Sequence, residues 1–250
     1  MRLAALAVAG VLLGAGAVSA QEEPKLPSQS WSFNGPFGTF DRASAQRGFQ
    51  VYKEVCANCH SMKEGYYRNL EGIGLTADEV KAVASTVTVP GETDDQGQAV
   101  DRPATPADHF KSPFASDKAA RAANNGALPP DQSVIEKARE GGADYIYALL
   151  NGYRDPPAGV KMGQGMYYNM YFHGGQIAMP PPLQQGSVTY ADGTPATVEQ
   201  EARDVTQFLA YMANPEMEQR KRMGVKVVLF LAMMTGLTYA VKRKVWADVH

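Results

Sequence analysis

The chain has 250 residues, 44% of them hydrophobic and 20% charged, with a formal net charge of −2. That is ordinary for a folded globular protein and leaves room for one large domain or two small ones. The charge is uneven: residues 21–216 carry 24 acidic against 16 basic side chains, a net −8, while most of the remaining cations cluster near the C-terminus. An acidic body with a basic tail argues against nucleic acid and for cationic protein partners.

Residues 1–20 read as a cleaved signal peptide. Arg2 supplies the positive start, Leu3 to Val18 the apolar stretch, and Val18-Ser19-Ala20 the small-residue cleavage site. A transmembrane anchor is the alternative, but the run is short and rich in Ala and Gly. Asp41 is placed to cap a helix in which Phe49, Tyr52 and Cys56 recur at helical spacing. Gly48 within it leaves room for a second helix. This helix is expected to run straight into Cys56-Ala57-Asn58-Cys59-His60, the C-x-x-C-H pattern of covalent haem attachment. On a helix, thiols at i and i+3 share a face and reach one porphyrin edge. The histidine after them is then the proximal iron ligand. A redox thiol pair or a structural disulfide is the competing reading. These are the only two cysteines, so the motif uses both. Export of the chain agrees with covalent haem attachment.

Thr76 and Glu79 form a capping box for a helix through Val83. Residues 90–106 read as a loop carrying Glu92, Asp94, Asp95 and Asp101, more simply solvated surface than a docking site. Ser116–Asn124 is an expected helix stopped by Asn125-Gly126. Pro129-Pro130-Asp131 leads into another, ending at Gly141-Gly142, and Asp144–Leu150 adds a short apolar helix closed by Gly152. Residues 156–185 lack periodicity, and a loop of that length needs something to fix it. A bound haem is one answer. Thr197 and Gln200 form a second capping box, opening a helix with Val198, Ala202, Val205, Leu209 and Met212 on one face, closed by Pro215.

Met223–Val241 contains a single charge, Lys226, one turn in. At 1.5 Å per residue, such a stretch approaches the roughly 30 Å of a bilayer core. Arg220-Lys221-Arg222 and Lys242-Arg243-Lys244 bracket it, favouring a membrane span over a buried core helix. Both ends are basic, so the signal peptide sets the orientation. The body is exported and the tail stays inside, with Tyr239 and Trp246 at the inner interface.

The sixth iron position decides what such a haem does. Met62 is too close to His60 to cross the ring, and Met212 reads as core. Among Met162, Met166, Met170 and Met179, the last is followed by Pro180-Pro181-Pro182, which fix the local backbone. Met179 is therefore favoured, with His173 as the rival.

Several stretches are similar to the cytochrome c1 family, the haem subunits of cytochrome bc1 complexes (ubiquinol–cytochrome c reductases). They are Arg47 to Tyr52, Ala120 to Asp131, Gln176 to Pro182, Asp192 to Thr197 and Arg220 to Gly224. The likeness covers nearly everything from Trp31 to Trp246. It implies a mostly α, class I cytochrome c-like haem domain with long loop insertions and one C-terminal transmembrane helix. The expected segments are 1–20 signal peptide, 21–219 exported haem domain, 220–244 membrane anchor with basic flanks and 245–250 cytoplasmic tail. It implies one covalent haem c ligated by His60 and Met179, with Arg139 at a propionate and Tyr145 and Asn124 nearby. It also implies a place beside cytochrome b in a dimeric complex of the bacterial cell membrane, respiratory or photosynthetic. There a Rieske iron–sulfur protein would reduce the haem, and a soluble cytochrome c would take the electron on the periplasmic side. Glu92, Asp94 and Asp95 are candidates for that docking. Some bacterial relatives carry an extra cysteine pair near the methionine loop; this chain has none, so packing and prolines must steady it. Two other functions fit parts of the pattern: a membrane-anchored cytochrome c serving a terminal oxidase, and a haem enzyme or gas sensor with an open iron position.

Overall fold

The computed structural model describes residues 24–248. The proposed signal peptide, and the last residues of the 245–250 tail, lie outside the described residues.

The fold is mostly helical. Helix α1 (Arg42–Glu54) starts where the Asp41 carboxylate accepts the Ser44 N–H at 3.1 Å. Its partner is α5 (Val198–Ala213), capped by Thr197, whose hydroxyl accepts the Gln200 N–H at 3.2 Å. The second half of the expected box is absent: the Gln200 side chain donates instead to Asp204, and the Thr197 N–H goes to the Pro195 carbonyl. Where the two helices cross, a Cβ on Gly48 would collide with the Asp204 backbone carbonyl, so only glycine permits this approach. Phe49, Tyr52, Phe110 and Phe208 fill the crossing with ring centroids 5.5–6.3 Å apart. Beside it lies a polar lock. The Arg47 guanidinium meets Asp204 at 2.8 Å and Asp192 at 2.9 Å, binding α1 to α5 and to the loop before α5.

Helix α2 (Ala77–Ser85) has the full Thr76–Glu79 capping box. Residues 90–106 are not the loop that their composition suggests. Strand β1 (Thr88–Thr93) pairs antiparallel with β2 (Ala99–Pro103), with a register irregularity between Pro90 and Thr93. The charge run makes the turn itself: Asp94 Oδ1 accepts the N–H groups of Gln96 and Gln98 at 3.0 and 2.8 Å, and Gly97 takes φ 78°.

Helix α3 (Asp117–Ala123), capped by Ser116, ends at Asn125 and Gly126, with φ 50° and 87°. The helix expected from Pro129 to Gly141 is instead a succession of turns. At its start Asp131, Gln132 and Ser133 bond outward to residues 61–64, where a helix would bond inward. Helix α4 (Gly142–Asn151) packs on α5. The N-terminal segment is tied to it by Asp144, which accepts from the Gln29 N–H at 3.1 Å and the Trp31 indole at 2.7 Å. Residues 156–185 are irregular apart from a two-residue ladder, β3 (Tyr167–Tyr168) with β4 (Gln176–Ile177).

Helix α6 (Met217–Val245) is longer than the apolar stretch within it, and none of its apolar window is buried in the protein. By length and composition it is able to cross a membrane. Its first turns are clamped to the body. Glu218 accepts the Phe40 N–H at 2.8 Å and two Arg42 N–H groups at 2.7 and 2.9 Å, and the Lys221 ammonium donates to the Phe33 and Gly38 carbonyls at 2.7 and 3.1 Å.

Candidate functional site

Helix α1 does not run through the C-x-x-C-H motif. It stops at Glu54, and Cys56–Asn58 form a single 3-10 turn. The Asn58 amide donates to the carbonyls of Glu54 and Val55 at 2.9 and 3.2 Å, taking up the last acceptors of the helix. A turn with three residues per repeat still aligns positions i and i+3. The His60 N–H bonds back to the Cys56 carbonyl at 2.9 Å. Cys56, Cys59 and His60 consequently line one cavity of about 390 Å³.

The two thiols are free, Cys56 buried and Cys59 exposed. Burial, with a lesser contribution from Cys59, pushes the Cys56 thiol up to about 12.

The His60 ring is buried, and its Nδ1 lies 2.8 Å from the Pro130 carbonyl oxygen. A carbonyl only accepts, so Nδ1 carries the proton and the Nε2 lone pair is left for a metal. Burial lowers the His60 pKa, keeping the ring neutral as a ligand must be. The Pro130 carbonyl is held by its neighbour. Asp131 accepts from the Ser61 hydroxyl at 2.7 Å, the Lys63 N–H at 2.9 Å and the Ser133 N–H at 2.9 Å. Burial pushes the Asp131 carboxyl up, but hydrogen bonds from Ser133, Lys63 and Ser61 outweigh it and the net shift is downward. The turns at 129–141 thus form a bracket behind the histidine.

The other walls are apolar. Pro129 and Ile135 come from the bracket and Leu128 from just before it, Ile146, Leu149 and Leu150 from α4, Val205 and Leu209 from α5, and Phe172 and Ile177 from the loop. Met179 lines the cavity from that loop, with Ala178 and Pro180. Met162, Met166, Met170 and His173 are not among the lining residues, and His173 is exposed. Met62 and Met212 are both buried in the main core, as expected for Met212. The Met179 segment is steadied without a disulfide: the Tyr153 hydroxyl donates to the Met179 carbonyl at 3.0 Å. Behind it, fully buried Asn169 donates to the Leu149 carbonyl at 2.7 Å and accepts the Tyr171 N–H at 3.1 Å. Asn124, Tyr145 and Arg139 also line the cavity. Arg139 is exposed and donates to the Ala138 carbonyl at 3.0 Å, so it stands at the rim.

Two thiols for covalent attachment and a neutral imidazole from one turn, a thioether from a second wall and apolar sides between them make up the residues a haem c would need. The residues present fit that group.

Comparison with known proteins agrees. The cytochrome C1 family profile matches residues 31–249. The chain belongs to the cytochrome c1 family. It is 45% identical over 263 residues to the cytochrome c1 of Rhodospirillum rubrum, covering 98% of this chain and 97% of that one. It is 50% identical over 224 residues to the mitochondrial cytochrome c1 heme protein of Saccharomyces cerevisiae, covering 89% and 72%. A mitochondrial cytochrome b-c1 complex catalytic subunit of Candida albicans is 49% identical over 224 residues, covering 89% and 78%.

Sequence reasoning missed the supporting residues Pro130, Asp131, Tyr153 and Asn169. Only Pro130-Asp131, within a stretch similar to the family, carried any signal.

Proposed function

We propose that this cytochrome c1 family member is the electron-relay subunit of a cytochrome bc1 complex, holding one covalent haem c through Cys56 and Cys59 with His60 and Met179 as axial ligands. The observation that carries this reading is that all four side chains line one apolar cavity. When bound, haem c supplies a one-electron ferric–ferrous couple. The chain's own residues do the rest. The Pro130 carbonyl orients His60, and Tyr153 holds the Met179 segment. The aliphatic walls exclude water, and a weak thioether donor favours the reduced state. Arg139, Asn124 and Tyr145, which also line the cavity, would supply polar groups to its propionates.

Helix α6 is the membrane anchor in this reading. Residues 1–20 direct export, the 21–219 body lies on the periplasmic side of a bacterial cell membrane, and the C-terminus stays in the cytoplasm. Cytochrome b is the neighbour in a dimeric complex, a Rieske protein the electron donor, and a basic soluble cytochrome c the acceptor. The acidic body supports that last choice, and the exposed hairpin turn with Glu92, Asp94 and Asp95 is the candidate docking patch.

Met179→Leu tests the site. The oxidised protein should lose its methionine-to-iron charge-transfer band in the near infrared, and the reduced variant should bind carbon monoxide where the unaltered protein resists it. A band that survives the substitution, or ready carbon monoxide binding by the unaltered protein, refutes the assignment.

A further inference from the structure

A second cavity, of about 510 Å³, lies between the Pro36–Thr39 turn and the start of helix α6. The turn is fixed by the same clamp that holds the helix, since Lys221 donates to the Phe33 carbonyl before it and to the Gly38 carbonyl within it. It holds Phe37 outward, 80% exposed, a costly place for a phenylalanine facing water. Val225, also exposed, lines the same groove from the helix.

The charge of the groove is positive. Its one carboxylate, Glu218, is bound at both oxygens by Arg42, leaving Lys221, Arg222 and Lys226 to dominate. Arg222 reaches Glu218 only at 3.3 Å and is 75% exposed, so its planar fork remains available to an anion. Lys226 forms no ion pair among the described residues. Arg222 and Lys226 are i and i+4 on one helix, neighbours on the same face and about 6 Å apart at Cβ. That spacing suits two cations on one phosphate.

We propose that this groove binds one anionic phospholipid of the outer leaflet, its phosphate between Arg222 and Lys226 and its acyl chains along Phe37 and Val225. The inference rests on reading α6 as a membrane span. Two features favour a lipid over free phosphate. Apolar Phe37 and Val225 flank the cations, and the groove continues into the exposed face of α6 through Leu229.

The test uses the haem-loaded full chain, delipidated in mild detergent and titrated with phosphatidylglycerol or phosphatidylcholine, with adducts counted by native mass spectrometry. One phosphatidylglycerol should bind more tightly than phosphatidylcholine. Arg222→Gln with Lys226→Gln should weaken phosphatidylglycerol roughly thirtyfold, about fivefold for each cation near a membrane surface, and phosphatidylcholine, whose own choline offsets its phosphate charge, much less. Phe37→Ser, which alters no charge, should weaken both lipids, and inorganic phosphate should not displace either. Equal binding of the two lipids, an unchanged double variant, or displacement by inorganic phosphate overturns the site. So does a photocrosslinker at position 37 that captures polypeptide and not lipid in the assembled complex. Carbonate washing of membranes separates the two readings. Release of the chain sinks the span and the lipid site together, whereas retention with unchanged adducts in the double variant sinks the lipid site alone.

Discussion

Removing the Asp204 carboxylate should cost about a third of the stability of a typical domain. The side chain is fully buried and accepts four hydrogen bonds: Ser44 Oγ at 2.7 Å, Arg47 Nε at 2.8 Å, Arg47 Nη2 at 3.0 Å and Gln200 Nε2 at 3.0 Å. In Asp204→Ala the Arg47 guanidinium, whose side chain is 17% exposed, keeps only Asp192 at 2.9 Å, itself 46% exposed. Breaking a buried pair from one side costs about 3–5 kcal/mol, because a charge is left without compensation. Asp192 retains some of that charge balance, so about 3 kcal/mol is expected, against about 5–15 kcal/mol for whole-domain stability. The penalty belongs to the stranded cation, so removing it as well should relieve most of it. Arg47→Met with Asp204→Leu is expected to cost about 1 kcal/mol, less than Asp204→Ala alone. The assay is urea unfolding of the full chain in detergent, followed by near-ultraviolet circular dichroism, which is dominated by the packed aromatic core. A shift below about 1 kcal/mol for Asp204→Ala, or a double variant as damaged as the single, refutes the reasoning.

Tyr153→Phe removes the hydroxyl that holds the Met179 carbonyl, a bond worth about 1 kcal/mol. The expected result is a protein that folds and carries haem, but whose reduced form binds carbon monoxide severalfold faster; an unchanged rate would mean the prolines suffice. Reduction of a basic soluble cytochrome c should slow steeply as salt rises, and neutralising Glu92 and Asp95 should flatten that dependence. Asp94 is spared in that variant because its carboxylate holds the hairpin turn. Indifference to ionic strength would remove the acidic surface from the docking account.

The helix starts were legible because capping is local. Asp41, Thr76 with Glu79, Ser116 and Thr197 each satisfy a backbone donor three residues on, and that spacing is printed in the sequence. The attachment motif was legible for the same reason. Elements whose hydrogen bonds reach across the chain were harder to read. Asp94-Asp95-Gln96-Gly97 looked like a solvated charge run because turn and surface share a composition. Residues 129–141 carried helix formers, yet Asp131 bonds to Ser61 and Lys63, and that competition has no local signature. Most hidden was the support of the site. Pro130 acts on His60 through a backbone carbonyl, a group every residue owns. Tyr153 acts on Met179 across 26 positions with no motif between them. Gly48 was readable as room for a neighbour, though not which neighbour, and α5 proved to fill it.

The joint between body and anchor has a consequence for the whole circuit. Only Asn214 to Glu216 separate α5 from α6, and Glu218 and Lys221 fasten the first turns of α6 to the segment from Phe33 to Arg42. Such a joint leaves little freedom to swivel. In a membrane, the cavity would ride at a fixed height and bearing above the lipid, like a lamp on a welded post. On the proposed relay reading, electron tunnelling is steep in distance, so any change in distance to the donor or the acceptor would have to come from those partners.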